Sequence, residues 1–511
     1  MNELATLVQA LYAVVVALLV PLGLHRLYLT SLFVRARARR TSAVSPSATP
    51  EELPRLTVQL PVYDERYVVE RAIRAACALD YPSDRLEIQV LDDSTDETSA
   101  IAAHVVAELR EAGHPVTHVR RSHREGFKAG ALAHGLSLAR GELIAIFDAD
   151  FIPGPDVLLR LLEPFADPGV GMVQARWEHA NRDHSLLTRL ESILLDGHFV
   201  IEHTARHASG RFFNFNGTAG MWRRAAIESA GGWQHDTLTE DLDLSYRAQL
   251  AGWRFVYLPD VVVPGEVPLD MAGFRSQQRR WTMGSAQTLR KLAPRLWRAR
   301  IPASVKVEAL AHLGGNIAYL ASAALSVLIA PALLARGLDG ASSPWLVELP
   351  LLACGLGSAG VFYAVSQAAT RGRGEWRWRH VPLALGLAAS LSLTNAGAVL
   401  RGLRGRRAAF QRTPKYGATE RSWHASRYRV PEPPPWPELA VTASCGLALA
   451  LTIASGDWLA LPFVGILGFG YGYASYRLLL EGRATDSPAS SAVVASLRAL
   501  VERMRSRASA P

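Results

Sequence analysis

The chain has 511 residues, which is too long for one ordinary globular domain and suits two or three. It is 49% hydrophobic yet 20% charged, which argues against both an ordinary soluble enzyme and a pure membrane bundle and favours a soluble domain joined to a few membrane helices. The net charge is +9, but the arginines cluster beside apolar stretches, so the sequence predicts contact with a lipid bilayer and none with nucleic acid.

The first predicted element is a membrane helix. Leu4 to Leu24 is an almost unbroken apolar run, close to the roughly 20 residues that cross a bilayer. A cleaved signal peptide is the alternative, but no Lys or Arg precedes the run and the run is long for a signal peptide. Arginines from Arg26 onward follow it, which predicts that the chain then enters the cytoplasm. We therefore expect a membrane helix with a basic flank over 1–40 and a Ser/Pro/Ala linker over 41–54.

The next segment, 55–300, alternates short apolar runs with amphipathic stretches. Such alternation predicts an α/β domain with a mainly parallel, Rossmann-like sheet whose ligands lie beyond the carboxyl ends of the strands. Helices are expected over 66–80, 97–112, 127–140 and 155–165. The predicted strands are LTVQLPVY, LEIQVLDD, HVRR, ELIAIFDAD, GMVQARW and FVYLP.

The region 301–480 is apolar again and predicts an α-helical transmembrane bundle. Spans are expected near 312–335, 345–369, 438–456 and 458–479. The apolar segment 381–400 lies between two arginine clusters, so we predict an interfacial or re-entrant helix there. Five crossings then leave the N-terminus outside, and they keep both clusters and a basic tail over 481–511 in the cytoplasm.

Four polar motifs follow one another through the α/β segment. Two of them, Asp92-Asp93 and Asp148-Ala-Asp150, end predicted strands. The third is Thr239-Glu240-Asp241, which opens a predicted helix, and the fourth is Gln277-Gln278-Arg279-Arg280-Trp281. Each motif alone has an ordinary explanation as a solvated loop, a helix cap or a surface helix. Their order and their placement at strand ends together indicate one active site.

These residue types suit the transfer of a group from a diphosphate. Two carboxylates one residue apart at a strand end can hold a divalent cation, and an oxygen-only site favours Mg²⁺ or Mn²⁺ over zinc. Asp241 is a candidate general base for an attacking hydroxyl. Arg280 can neutralise departing phosphates, and Trp281 offers a flat apolar face for a sugar ring.

These motifs resemble glycosyltransferase family 2, in the processive branch that includes cellulose, hyaluronan and chitin synthases. The similarity is greatest to the plant cellulose-synthase-like A and C proteins, the first of which make mannan or glucomannan, and it extends over about 55–420. It implies a cytoplasmic GT-A domain. The acceptor segment has Asn216-Gly217-Thr218 where cellulose synthases have Cys-Gly-Ser, which favours the mannan-like branch.

The resemblance implies a role for each matching residue. It implies that the strand-end and lysine motifs bind the nucleotide. It also implies that Asp148 and Asp150 hold the metal. Catalysis falls to Asp241 with Glu240 beside it. A mobile gating loop is implied over 405–420, in the Phe410-Gln-Arg-Thr-Pro-Lys415 motif. The resemblance implies nucleotide contacts for Tyr63, Glu65, Asp92, Asp93 and Lys128. It implies contacts with the acceptor and the diphosphate for Asn216, Gly217, Thr218, Gln277, Arg280 and Trp281. The loop residues that it implies are Phe410, Arg412, Thr413 and Lys415.

The sequence therefore predicts an inverting, multi-pass glycosyltransferase of the plasma or inner membrane. It would transfer a hexose from UDP-glucose or GDP-mannose to a growing β-linked polysaccharide, processively and with coupled export. One alternative is a non-processive enzyme that acts on a lipid-linked or short acceptor. A more distant alternative is a transporter without catalytic activity. Sugar, linkage, protein partners and oligomeric state stay open at this point.

Overall fold

A seven-stranded sheet forms the centre of the first half of the chain. The computed structural model describes residues 2–39, 53–339, 345–370, 378–406, 412–417 and 428–483. In chain order the strands are β1 Leu56–Val62, β2 Leu86–Asp92, β3 Val116–Arg120, β4 Leu143–Ile146, β5 Val170–His179, β6 Gly220–Arg223 and β7 Arg254–Gly265.

The strand order is β3-β2-β1-β4-β6-β5-β7. Strand β6 runs antiparallel to both of its neighbours, whereas the other neighbouring pairs are parallel. The α/β class and the mainly parallel sheet are thus confirmed. Sequence patterning missed β6, because its four residues are too short to show an alternation of apolar and polar side chains.

Helices cover both faces of the sheet, and each face has its own apolar core. One core packs α2 and α3 against β1 and β2 and includes Val58 and Ile88, both fully buried. The other packs α4 and α9 against the opposite face around Trp222. The helices of this half are α2 Val69–Cys77, α3 Thr98–Glu111, α4 Phe127–Leu138, α5 Val157–Leu162, α6 Leu186–Asp196, α7 His203–Ala208, α8 Arg224–Ser229, α9 Glu240–Leu250 and α10 Met271–Arg298.

The remaining helices form a bundle that packs under this domain. Helix α1 packs on α12, and α17 packs on α18, around an apolar core that includes Tyr12, Ile329 and Cys445. Helices α6 and α10 join the two parts by packing on α15 and α16. The bundle helices are α1 Asn2–Arg39, α11 Ala303–Gly314, α12 Ala318–Asp339, α13 Trp345–Pro350, α14 Ser358–Thr370, α15 Val381–Ser390, α16 Ser392–Leu403, α17 Trp436–Ser455 and α18 Leu461–Arg483.

Several of these helices are long and apolar enough to cross a membrane. In the part of the chain that the structure describes there are four, Glu3–Arg39, Ala303–Arg336, Glu348–Thr370 and Trp436–Ser455. A fifth crossing is possible if the pair Trp378–Ser390 and Ser392–Leu403, bent by 47°, counts as one span. This bent pair coincides with the predicted interfacial helix, and α18 with the predicted span 458–479. The domain bounds and the number of membrane crossings stay predictions. Most of the linker and most of the tail lie outside the described residues.

Candidate active site

Two adjacent aspartates at the end of β2 point to different partners. The Asp92 carboxylate is buried and bonded to His118 Nε2 at 2.9 Å and to the Ser94 amide at 2.8 Å. Burial alone would raise the pKa of Asp92, but the hydrogen bonds from His118 and Ser94 outweigh it and lower the pKa to about 2. Asp93 pairs with Arg121 at 2.9 Å and lines the cavity beyond the strand ends. Asp93 therefore lines the cavity, whereas Asp92 is bonded to His118 and Ser94 and does not line it.

The segment between β3 and α4 brings two cations to the same cavity. The Arg124 guanidinium lies over the Tyr63 ring, 3.3 Å from its centroid. Lys128 follows a turn in which Gly126 has a φ of +71°. Its Nζ donates to Asp148 Oδ1 and, at 2.9 Å, to the Gly217 carbonyl. Desolvation lowers the pKa of Lys128, but the charges of Asp148 and Glu240 and the hydrogen bond to Asp148 together outweigh it and raise the pKa, so this lysine is a fixed cation in the cavity.

Asp148 and Asp150 follow β4, and each forms an ion pair with a lysine. Asp148 is bonded to Lys128, and Asp150 accepts from Lys415 Nζ at 2.6 Å and from the Glu266 amide at 3.1 Å. Glu65 lies in the electrostatic reach of both aspartates. Burial, with the charges of Asp150 and Asp148 adding to it, raises the pKa of Glu65 to about 8. The cavity thus concentrates acidic groups whose charge is balanced by basic side chains.

This donor set fits the cation that the fold class implies. Among the residues that the structure describes, no three His, Cys, Asp or Glu side chains converge as a complete metal cage. Mg²⁺ and Mn²⁺ do not need one, because one or two carboxylates plus phosphate oxygens of a substrate suffice. Asp148, with a side chain about one-third exposed to the cavity, and Asp150 supply such carboxylates.

The acidic pair at the start of α9, Glu240 and Asp241, lines the same cavity as these aspartates. Asp241 accepts from the Leu242 amide at 2.8 Å, and Lys128 and Arg280 both act on it electrostatically. Desolvation and the neighbouring Glu240 carboxylate raise the pKa of Asp241, and burial raises the pKa of Glu240 as well. A carboxylate with a raised pKa is a better proton acceptor, so Asp241 has the properties of a general base.

The Asn216-Gly217-Thr218 segment is held rigidly against Asp241. The Asn216 amide lies between two histidines, with Oδ1 at 2.6 Å from His203 Nε2 and Nδ2 at 3.0 Å from His198 Nε2. Gly217 has a φ of +81°, and a Cβ there would come within 3.0 Å of Asp241 Oδ2. The Thr218 hydroxyl accepts from the Asp148 amide at 2.8 Å and is fully buried. Asn216 and Gly217 line the cavity, whereas Thr218 supports its floor.

Helix α10 and the segment 412–417 close the cavity from the other side. Gln277, Arg280 and Trp281 of α10 line it together with Arg412, Thr413 and Lys415. Arg280 donates to the Thr413 hydroxyl at 3.3 Å, and Arg412 donates to the Tyr63 carbonyl at 3.2 Å. The cavity holds about 160 Å³, below the roughly 300 Å³ at which ligand pockets usually begin. Phe410, the other predicted loop residue, lies outside the described residues.

A second cavity of about 410 Å³ begins at Asp241 and runs between the bundle helices. Its far walls come from α1, α12, α14 and α15, through residues such as Leu22, Ala318, Phe362 and Ala388. Its near wall, which includes Asp241 and Trp281, belongs to the first cavity as well. Asp241 therefore lies where the two cavities meet.

The structure brings together most of the predicted site residues and adds some that the sequence did not indicate. Glu266 follows β7 and accepts from Arg71 at 2.7 Å beside Lys415, and its position at a strand end is the signal that could have found it. Trp177 lies near the carboxyl end of β5 and lines both cavities. Glu191 lies among the apolar residues of α6, and no motif in the sequence indicated it as a site residue.

A mixed α/β sheet with a carboxylate pair, a second acidic pair of raised pKa and fixed cations beyond its strand ends defines a GT-A-like glycosyltransferase domain. Residues 54–284 match the family model described as "Glycosyltransferase like family 2". This segment of the chain is therefore a glycosyltransferase domain of family 2, which confirms the resemblance seen in the motifs. The matched segment ends at α10, before most of the bundle.

Curated plant proteins are similar over about half of the chain. Probable glucomannan 4-beta-mannosyltransferase 3 of Oryza sativa subsp. japonica is 46% identical over 246 residues, or 47% of this chain and 44% of that protein. Glucomannan 4-beta-mannosyltransferase 2 of Arabidopsis thaliana is 46% identical over 245 residues, or 47% of this chain and 46% of that protein. The similarity thus spans less than half the length of these curated relatives.

One solved structure is similar in fold. It is a mannosyltransferase from Pyrobaculum calidifontis in complex with GDP-Man and Mn²⁺, with a TM-score of 0.53 and 24% sequence identity. The similarity covers 78% of this chain and 100% of that one. It supports the GT-A-like fold of the domain.

Proposed function

We propose that this protein is a membrane-embedded, inverting glycosyltransferase that adds hexose units from a nucleotide sugar to a β-linked glycan. The observation that carries the proposal is the position of Asp241, a base of raised pKa, within the electrostatic reach of the cations Lys128 and Arg280. Such a site deprotonates a hydroxyl on one side and receives a departing diphosphate on the other.

The proposed reaction is a single displacement. An acceptor hydroxyl attacks the anomeric carbon as Asp241 takes its proton, and the bond to the diphosphate breaks with both electrons on the leaving oxygen. Lys128 and Arg280 neutralise the charge that develops there. Mg²⁺ or Mn²⁺, held by Asp148 and Asp150, would supply further stabilisation of the leaving group when bound. One displacement from an α-linked donor gives a β-linked product.

GDP-mannose is the donor that we place ahead of UDP-glucose. The curated relatives are named glucomannan 4-β-mannosyltransferases, which supports a mannosyl donor and a 1,4 linkage in this chain. We further propose that the helices lie in the plasma or inner membrane with the catalytic domain in the cytoplasm. The second cavity supports processive synthesis with export, because it leads from Asp241 into the bundle.

Product analysis tests these proposals. Purified protein in lipid is given GDP-mannose or UDP-glucose separately, with Mg²⁺ or Mn²⁺. Long, β-mannanase-sensitive chains from GDP-mannose alone are the expected result. Short or lipid-linked products would favour a non-processive enzyme, and binding of neither donor by folded protein would refute the glycosyltransferase proposal.

A further inference from the structure

Glu191 is a buried carboxyl in the wall between the two cavities. It lies on α6, its residue is 1% exposed, and it lines both the donor-side cavity and the cavity that enters the bundle. The other residues of this shared wall include Asp241, Trp281, Trp177 and Asn216. Glu191 therefore stands at the junction where an acceptor hydroxyl would meet the donor sugar.

Both carboxyl oxygens of Glu191 are buried without a hydrogen-bond partner among the described residues. Buried acids nearby are partnered. Asp196, five residues further along the chain, accepts from Arg182 and from Gln367, both at 2.7 Å. Asp270 accepts from Gly273 N and, at 3.0 Å, from Tyr416. Glu191 is therefore an exception within its own surroundings.

A buried polar group without a partner costs free energy and is rare in folded proteins. Burial raises the pKa of Glu191 well above its usual range, with Asp270 adding to the shift and Lys415 opposing it. Burial thus favours the protonated form of the side chain, which has one O–H to donate and a carbonyl oxygen to accept. A leucine of similar size would pack the same space without that cost. No hydrogen bond among the described residues stabilises this carboxyl, so a ligand that enters either cavity can become its partner.

The shared wall indicates what that ligand is. Trp177 and Trp281 present indole rings, and Asp241 is the base that acts on a hydroxyl. Apolar ring faces combined with a few buried hydrogen-bonding groups are typical of sugar sites. We propose that Glu191 is a sugar-binding residue whose carboxyl hydrogen-bonds a hydroxyl of the hexose at the junction of the two cavities. This inference rests on the proposed glycosyltransferase function and names a further specificity-determining contact within it.

The hexose can belong to the donor or to the acceptor end of the glycan, since Glu191 faces both cavities. In either position the contact selects for a hydroxyl, because a sugar that lacks it leaves the carboxyl unpaired. We expect loss of the contact to reduce kcat/KM about ten- to hundredfold, the range for a buried hydrogen bond at a binding site.

The test compares Glu191→Leu, Glu191→Gln and the control Ser192→Ala in full-length protein in lipid. Ser192 is the next residue on the helix, and its buried hydroxyl bonds to the Thr188 carbonyl and lines neither cavity. Measurements are kcat and KM for donor and acceptor, binding of nucleotide sugar and of free nucleoside diphosphate, and Tm.

The leucine variant should lose activity while its Tm stays equal or rises. The glutamine variant should stay within about threefold of the unmodified protein, because an amide also donates and accepts. Weaker binding of the nucleotide sugar with unchanged binding of the diphosphate would assign the contact to the donor hexose. Unchanged donor binding with a raised acceptor KM would assign it to the acceptor.

Two results would overturn the inference. One is kinetics of Glu191→Leu equal to those of Ser192→Ala. The other is a clear fall in Tm for Glu191→Leu, which would show that the carboxyl has a structural partner. In both cases turnover by the unmodified protein would leave the proposed function standing. Absence of turnover and of nucleotide-sugar binding in the unmodified protein would refute the function and this inference together.

Discussion

Replacement of Asp241 by asparagine tests the centre of the proposed chemistry. The change keeps the size of the side chain and its hydrogen bond from the Leu242 amide, but it removes the group that accepts a proton. Catalysis by a positioned general base contributes roughly 10²- to 10⁴-fold. We therefore expect kcat to fall by that factor, which corresponds to about 3–5 kcal/mol of transition-state stabilisation.

Donor binding should be preserved in this variant or become tighter. Asp241 and Glu240 place negative charge near the position proposed for the diphosphate, and their mutual repulsion contributes to the raised pKa of Asp241. Loss of one charge leaves Lys128 and Arg280 less neutralised and more attractive to phosphate. The kcat should therefore fall without a rise in the donor Kd.

The assay follows nucleotide release by protein in lipid and measures the donor Kd by calorimetry. Glu228→Gln is the matched control, because that exposed carboxylate pairs with Arg224 one helical turn away on α8 and lies outside both cavities. Turnover of Asp241→Asn near that of the control would refute the assignment of the base. A parallel loss of donor binding would instead indicate a damaged site.

Three further predictions concern the same structure. Gly217→Ala should lower kcat at least tenfold and lower Tm, because a Cβ would approach Asp241 Oδ2 to 3.0 Å and because a φ of +81° costs an alanine about 1–2 kcal/mol. The control Gly113→Ala has a φ of +91° with open space around it, so it should lower Tm alone. Equal kcat in the two variants would contradict the steric argument. Glu240→Gln should move the acidic limb of the kcat/KM profile to lower pH, since it removes a charge that raises the pKa of Asp241; a limb that stays in place would contradict that coupling. Acid should destabilise the domain through Asp92, because its pKa of about 2 in the folded protein lies below the unfolded value of 3.8. Its contribution of about 2 kcal/mol to the free energy of unfolding is present above pH 4 and is lost as pH falls toward 2. In Asp92→Asn, thermal unfolding should lack this part of the pH dependence.

Local patterns in the sequence determined the α/β class and the edge of the sheet where the site lies. Short apolar runs alternating with amphipathic stretches predicted the parallel strands, because strand and helix periods differ. Asp93, Lys128, Asp148 and Asp241 could be named from motifs, since each follows a strand or opens a helix. Parallel strands bring such positions to one edge.

Other features depended on contacts between distant parts of the chain. Strand β6 is defined by its pairing with β4 and β5, and its four residues carry no pattern of their own. The pairing of Asp150 with Lys415 joins residues 265 positions apart, and no local motif encodes it. Asp92 and Asp93 look equivalent in sequence, but only the positions of His118 and Arg121 decide which one faces the cavity.

Glu191 marks the limit of what the sequence by itself could reveal. Its neighbours Leu190 and Ile193 are fully buried, so an amphipathic pattern places it on a helix that packs into the core. Periodicity assigns a residue to a face of a helix, but it cannot show whether that face meets packed side chains or a cavity. The tertiary structure decided this, because the cavity forms only where α6, α9 and α10 meet the bundle helices.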